Sequence, residues 1–461
     1  MDIMLLKQFF IEKIAHSSYM IGGNTTCAIV DPSRDVDRYL EAAEAGGLKI
    51  THILETHLHA DFVSGHMDLA EETGATIYAP AAGNCSFAHI ALSDGDTFKI
   101  EDLEFHVLGT PGHTPDCLVY VVTDTSRGDT PVAAFTGDTL FVGDVGRPDL
   151  FPGKARELAE ELYENLHTKV MTLPPECLVF PAHGAGSLCG KAMGAMRFST
   201  IGYENAYNPA LLITDKEDFI RSLTVDMPPA PDHFARCSDI NRRGPAFVRT
   251  LPTLKAMTPA EFHERMTDAD TIVVSIRDYA TFGGQHIPGS YHIDMGTNFP
   301  TYAGWILPPD KDILLVTDNP EQAHEAVIQL RRVGLDRTTG YLKGGTHAWV
   351  SAGYTTDHIH QLSPSEVHEK IQNPNTVLLD VKSANEYEEQ HIPGAVNILV
   401  MDLRTRADEL DRDRPTIAMC RTGHRSSLAC SILKQHGFSD VYNAAGGLNG
   451  YIAAGFLPKN V

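Results

Sequence analysis

The stretch Thr56-His57-Leu58-His59-Ala60-Asp61-Phe62-Val63-Ser64-Gly65-His66 decides how this chain is read. It follows the apolar run Ile50-Thr51-His52-Ile53-Leu54, which reads as a buried strand ending at Glu55. His57, His59 and Asp61 then fall at every second position. Alternate residues of an extended segment or tight loop point the same way, so these three side chains can converge. A strand end holds such groups rigidly, as a metal site requires. The plainer alternative is a polar loop of solvated histidines. Two later segments weigh against it, Thr110-Pro111-Gly112-His113-Thr114-Pro115 and Phe135-Thr136-Gly137-Asp138-Thr139-Leu140. Each sets one potential ligand, His113 or Asp138, in a glycine-containing turn after an apolar run.

At 461 residues the chain is too long for one ordinary core, and roughly two to four domains are expected. Apolar residues make up 43%, enough for each domain to bury a core. The net charge of −23 argues against a nucleic-acid partner. No run approaches the ~18–20 consecutive apolar residues of a membrane helix, so no membrane partner is expected. The first residues, Met1 to Phe10, carry an early acid and no cationic segment with a cleavage site, and read as a first strand. The eight cysteines, at 27, 85, 117, 177, 189, 237, 420 and 430, show no paired spacing. That excludes a disulfide framework or a zinc CxxC set and points to a reducing, cytoplasmic compartment. A homo-oligomer is compatible with all of this.

Along the first half, Thr26 to Val30 reads as a strand, and Val36 to Ala45 as a helix closed by Gly46-Gly47. Lys154 to Leu166 reads as an amphipathic helix, and Leu178-Val179-Phe180 as the strand delivering His183. Beyond Gly202 the pattern loosens, and Met227-Pro228-Pro229-Ala230-Pro231 and Arg242-Arg243-Gly244-Pro245 mark an extended connector.

After Leu254 the chain repeats itself. Thr258-Pro259-Ala260-Glu261 echoes Ser363-Pro364-Ser365-Glu366, and His286-Ile287-Pro288-Gly289 recurs as His391-Ile392-Pro393-Gly394. Gly344-Gly345 with Trp349 matches Gly446-Gly447 with Tyr451. Alternating strands and helices in both copies predict parallel sheets covered on both faces. In the second copy a strand, Thr416 to Met419, runs into Cys420-Arg421-Thr422-Gly423-His424-Arg425-Ser426-Ser427 and then a helix. A cysteine there meets backbone N–H groups and the positive end of a helix, and Arg421 and Arg425 add charge. All three favour thiolate, the nucleophilic form. Aligning the strands and the Gly-Gly pairs sets Asp318 opposite Cys420, so the first copy is expected to carry no sulfur.

The order HxHxD, GH, GD and then Pro181-Ala182-His183-Gly184 resembles the metallo-β-lactamase fold, and Gly143-Asp144-Val145-Gly146-Arg147-Pro148-Asp149-Leu150 resembles its persulfide dioxygenase branch. HIPG and the closing glycine pair resemble the rhodanese domain in each copy. These resemblances imply an α/β chain: an αββα metallo-β-lactamase sandwich over 1–215, a connector over 216–254, an inactive rhodanese-like domain over 255–357 and an active one over 358–461. Zinc hydrolases of the sandwich fold usually read HxHxDH, but the last position here is Phe62, which binds no metal. The resemblance therefore implies one metal on His57, His113 and Asp138, a two-His-one-carboxylate set suited to non-haem Fe(II). His59, Asp61 and His183 would orient ligands or form an optional second site. Arg147 and Cys189 are candidates to contact substrate or brace the site.

The implied activity is oxidation of a low-molecular-weight thiol persulfide by O2 at Fe(II). Cys420, with Arg421 and Arg425, would transfer sulfane sulfur, linking persulfide to sulfite and thiosulfate. The rivals are a zinc thioester hydrolase resembling glyoxalase II with an accessory rhodanese domain, and a sulfur carrier or redox-sensing partner in which metal catalysis has lapsed.

Overall fold

The computed structural model describes residues 4–225, 227–296 and 298–458. The expected first strand is present as Leu5–Ile11, and Met1 to Ile3 lie outside the described residues. The chain separates into two compact units, one ending at Leu251 and including Arg331–Gly334, the other formed by the rest from Pro252 onward.

The first unit is built on two six-stranded sheets. One runs, in spatial order, Leu5–Ile11, His16–Gly22, Thr26–Val30, Lys49–Leu54, Thr76–Pro80 and Ile90–Leu92. The other runs Ser199–Thr200, Leu178–Pro181, Ala133–Gly137, Leu118–Asp124, Leu103–Gly109 and Thr97–Ile100. Successive strand residues face opposite ways, so each strand serves two layers. Tyr19, Val30 and Leu54 of one sheet meet Phe105, Tyr120 and Phe135 of the other in the central core. Their neighbours Met20, Ile29 and Ile53 turn outward against Tyr39, Ala43 and Leu69 of the helices Asp37–Gly46 and His66–Thr73. On the far side Val119, Val121 and Val179 pack against Leu162 and Leu166 of the helix Ala155–Thr168. The result is the expected αββα sandwich.

The stretch 216–254 departs from expectation. Instead of an extended connector it forms the helices Lys216–Thr224 and His233–Arg243. Asp215 caps the first by accepting the Asp218 N–H, and Phe219 and Leu223 enter the outer core beside Leu162. Tertiary burial of one apolar face stabilises helices too short to stand alone. Of the prolines that signalled an open linker, Pro228, Pro229 and Pro231 occupy the short join between them and Pro245 follows the second helix.

The second unit holds two five-stranded sheets, each parallel throughout. The first orders its strands Lys255–Met257, Thr338–Leu342, Asp312–Val316, Thr271–Ser275 and Tyr291–His292. The second repeats this with His360–Leu362, Val441–Ala444, Thr416–Met419, Val377–Asp380 and Val396–Asn397. Both copies open with the same capping box, Thr258 with Glu261 and Ser363 with Glu366. The active-looking loop therefore sits at the carboxyl end of a central strand, where ligands of open α/β sheets bind.

Candidate metal centre and sulfur-transfer loop

His57, His113 and Asp138 come from three separate strand ends, and their donor atoms lie within 4.8 Å of one another. Both imidazoles present Nε2 to Asp138 Oδ2, at 3.8 Å from His57 and 3.3 Å from His113. All three atoms are buried and without a hydrogen-bond partner. Buried polar atoms left unpaired are costly, and three that converge match what a metal ion would satisfy. Local bonds aim them: the His113 Nδ1–H donates to the Arg147 carbonyl at 2.8 Å, which leaves Nε2 with its lone pair. Burial pushes His57 and His113 below the usual histidine range, toward the neutral form a metal needs. Burial alone would raise Asp138, but His183, His113 and His57 hold it well below the carboxylate range.

His59, Asp61 and His183 form a second group of the same compactness, and His59 Nε2, Asp61 Oδ1 and His183 Nε2 are likewise buried without a hydrogen-bond partner. Its imidazoles, however, lie closer to carboxylates than those of the first trio. His183 lies between two carboxylates, with Nε2 at 2.8 Å from Asp61 and Nδ1 at 2.7 Å from Asp138. Burial opposes charge on this ring, and the two acids outweigh it, so His183 sits well above its ordinary range. His59 turns Nε2 to Asp31 Oδ1 at 3.1 Å. Phe62, fully buried, packs its ring 4.4 Å from His59 and 4.0 Å from His16. An apolar ring thus fills the place where a hydrolase would present a further imidazole.

Two residues that hold this centre were not singled out from sequence. Asp31, at the end of its strand, accepts the Thr56 N–H at 2.8 Å and the Thr56 hydroxyl at 2.9 Å, fixing the start of the HxHxD loop. Asn241, from the unexpected second helix, donates to the carbonyls of His59 and Phe62 at 2.8 Å each and accepts the Ser64 N–H. Asp31 carried a readable signal, a carboxylate ending a strand beside another strand end. Asn241 lies 182 residues from His59 and carried none.

Arg147 is buried, and its guanidinium is committed: two bonds of 2.7 Å to Asp149, one to the Leu188 carbonyl and one to the Pro228 carbonyl. That is a brace for the loop rather than a free anion contact. Cys189 is brought close to Asp138 and His183. Burial, with Asp61 and Asp138 nearby, drives its thiol well above the ordinary range and so keeps it protonated. Beside the loop lies a cavity of about 370 Å³ whose lining includes Leu58, Ala60, Thr114, Pro115, Leu150 and Phe234.

In the second unit Cys420 is buried at the end of its strand. Its Sγ accepts the Gly423 N–H at 3.1 Å and the Ser426 hydroxyl at 3.4 Å. Gly423 reaches this position with φ of 101°, a left-handed conformation. Arg425 does not face the sulfur as a free charge, because Glu386 holds it in a bidentate pair of 2.6 and 2.8 Å. Arg421 is half exposed and lies 3.5 Å from both Glu386 and Glu389.

The strand registers correct the residue opposite Cys420. Ser275 pairs with Val316, and Asp380 pairs with Met419. The next residues are Thr317 and Cys420, so Thr317 takes the sulfur position and Asp318 matches Arg421. Counting back from the glycine pairs misses by one because Gly334 to Gly344 spans 10 positions and Gly437 to Gly446 spans 9 (344 − 334 and 446 − 437). Thr317, like Asp318, has no thiol, so the strand-end position of the first copy holds no cysteine.

The sandwich and its strand-end cluster place the chain in the metallo-beta-lactamase superfamily, to which it belongs, with the family's match covering residues 12–183. Rhodanese-like domains follow at 258–352 and 363–454. In particular, the chain is 28% identical over 253 residues to the persulfide dioxygenase ETHE1, mitochondrial, of Mus musculus, covering 54% of this chain and 91% of the relative. It is 36% identical over 159 residues to a hydroxyacylglutathione hydrolase of Rhodospirillum rubrum, covering 34% of this chain and 57% of that one. The crystal structure of a metallo-beta-lactamase from Staphylococcus aureus subsp. aureus COL aligns with a TM-score of 0.66 and 31% identity, over 74% of this chain and 98% of that chain. Among the described residues no helix is long and apolar enough to cross a membrane.

Proposed function

We propose that this chain joins a persulfide dioxygenase to a sulfurtransferase. In this reading the dioxygenase chemistry belongs to residues 1–215, aided by the two helices of 216–254. Sulfur transfer belongs to 358–461, and 255–357 is an inactive rhodanese. The observation that carries the reading is the trio of unpaired donor atoms on His57, His113 and Asp138 beside Phe62. Similarity to the persulfide dioxygenases supports it. Bound there, one Fe(II) would supply the redox chemistry that lets O2 react with a persulfide at open coordination positions. Overall, a thiol persulfide, O2 and water give the thiol, sulfite and two protons. Asp61 and His183 hold Asp138 ionised and oriented, and Arg147 fixes the His113 tautomer. The 370 Å³ cavity beside the loop is the candidate seat for the thiol carrier.

In the second half the Cys420 thiolate attacks the outer sulfur of thiosulfate. The S–S bond breaks, sulfite leaves with its electron pair, and Cys420 keeps a persulfide. The Gly423 N–H and Ser426 hydroxyl stabilise the anionic sulfur. In the reverse direction the Cys420 thiolate would take the outer sulfur of a second thiol persulfide, which leaves as the thiol. It would pass that sulfur to the sulfite that the dioxygenase half would form, giving thiosulfate and regenerating the Cys420 thiolate. A reducing, cytoplasmic setting suits the eight free cysteines.

Protein purified without oxygen should hold about one iron per chain, the count set by one open two-His-one-carboxylate site. His113→Ala should lose both the iron and persulfide-dependent O2 uptake. Two tightly bound zinc ions with thioesterase activity would instead establish the hydrolase reading, which Phe62 opposes. Coupling is read from products: persulfide and O2 should yield mainly thiosulfate with Cys420 present and mainly sulfite in Cys420→Ser. An unchanged ratio, after correction for non-enzymatic exchange between sulfite and persulfide, removes the coupling.

A further inference from the structure

The helix that begins after Cys420, His424–Gln435, is braced along its length by the first rhodanese copy. The Ser431 hydroxyl accepts the His292 N–H at 3.1 Å, and Lys434 lies 3.3 Å from Asp357. At its first residue the contact becomes chemical. His424 Nδ1 lies 2.9 Å from Asp294 Oδ2. Asp294 is itself buried and held, because its Oδ1 accepts the Gly296 N–H at 2.7 Å. Tyr279, also from the first copy, packs edge-on to the His424 ring at 4.9 Å and reaches within 3.4 Å of the place a Gly423 Cβ would occupy.

These contacts fix the ring. The Nδ1–H donates to Asp294, a third of the side chain stays exposed, and Nε2 makes no hydrogen bond among the described residues. The loop's other cations are less available, since Arg425 is bidentate with Glu386 and Arg421 lies between Glu386 and Glu389. Resting on the sulfurtransferase reading, we propose that the first copy completes the Cys420 site. Asp294 is a positioning residue that holds His424 so that, with both ring nitrogens protonated, its Nε2–H donates to the oxyanion end of a small sulfur donor.

The test uses the full chain with thiosulfate as donor and cyanide as acceptor. Asp294→Ala should raise the KM for thiosulfate about tenfold, as expected when one charge-assisted hydrogen bond is lost. The kcat and the KM for cyanide should stay within about twofold, a split that a merely structural defect would not give. His424→Asn keeps a group that can bond Asp294 but removes Nε2, and should raise the same KM. The double variant should be no worse than either single one, because the pair acts as a unit. Cys420 should react with iodoacetamide at a rate within about twofold of the parent's, showing the loop intact. Calorimetric binding of sulfite to Cys420→Ser gives a readout independent of turnover, and adding Asp294→Ala should weaken it about tenfold. Unchanged thiosulfate KM and sulfite binding, or additive effects of the two substitutions, overturn the proposal. An inactive parent chain whose sulfite binding still depends on Asp294 overturns the sulfurtransferase reading alone.

Discussion

The two rhodanese copies share a sheet order, a capping box and a glycine pair, yet only one ends its central strand in a cysteine-bearing loop. At the strand end Cys420 stands against Thr317. Three residues on, Gly423 stands against Pro320. Gly423 gives Cys420 Sγ an N–H at 3.1 Å, whereas proline has none to give. Thr317 Oγ1 instead accepts the Asn319 N–H at 3.1 Å and bonds Gln322 at 3.0 Å. Beneath the loops, Lys382 is buried in a 2.6 Å pair with Asp380, while Arg277 bonds the Ser275 hydroxyl and lies 3.8 Å from Asp318. The two copies therefore differ by a donor-lined backbone cradle as well as by a cysteine.

The largest effect should come from Cys420→Ser. A hydroxyl neither ionises at neutral pH nor holds sulfane sulfur, so thiosulfate-to-cyanide transfer should fall by about a thousandfold or more. Persulfide-dependent O2 uptake should change little. Equal loss of transfer in Thr317→Ala would erase the distinction between the copies.

Next comes a matched pair, Gly447→Ala and Gly345→Ala. Both glycines have positive φ, 56° and 60°, and an added Cβ at Gly447 would sit 2.4 Å from the Cys420 carbonyl oxygen. Each substitution should destabilise its copy by about 2–3 kcal/mol from backbone strain and crowding. Only Gly447→Ala should also displace the sulfur loop and lower kcat. Urea midpoints and transfer assays on both variants separate the two effects.

Glu386→Gln is smaller and depends on pH. Burial opposes its charge, but Arg425 outweighs burial and lowers Glu386 from 4.5 to about 2. A carboxylate with a depressed folded pKa stabilises fully above its unfolded value. That stabilisation is lost as pH falls from about 4.5 toward 2. The variant should therefore be less stable than the parent by about 2 kcal/mol at pH 7, with the gap closing below about pH 3. A gap independent of pH would remove the ion pair as its cause.

What was legible in the sequence was local. The HxHxD spacing, the two glycine turns and the repeated HIPG lie within a few residues of the elements they define. The helices of 216–254 were hidden because their apolar residues find partners only in the folded sandwich, and nearby prolines spoke louder. The positions of Asn241 and Asp294 depend on packing between segments far apart in the chain. Thr317 was missed for a different reason: a one-residue insertion after Gly334 breaks any count from the closing glycines, and only strand pairing restores the register.

The smallest effect is the most telling. Thr317→Cys in a Cys420→Ser background puts a thiol at the carrier position of the first copy. If the cysteine alone made the carrier, transfer would return. The loop there offers no N–H three residues on, because that residue is Pro320, and its helix starts at Pro320 without the left-handed glycine that turns the Gly423 amide toward sulfur. The anion would lack its principal hydrogen bond, and each unit by which its pKa stays high costs tenfold in thiolate. Transfer should therefore stay below about 1% of the parent rate. Adding Pro320→Gly restores both the N–H and the conformational freedom, and should speed alkylation of the introduced thiol by about tenfold. If Thr317→Cys alone recovers substantial transfer, the backbone cradle is not what separates the two copies, and the missing cysteine is sufficient explanation for the inactive one.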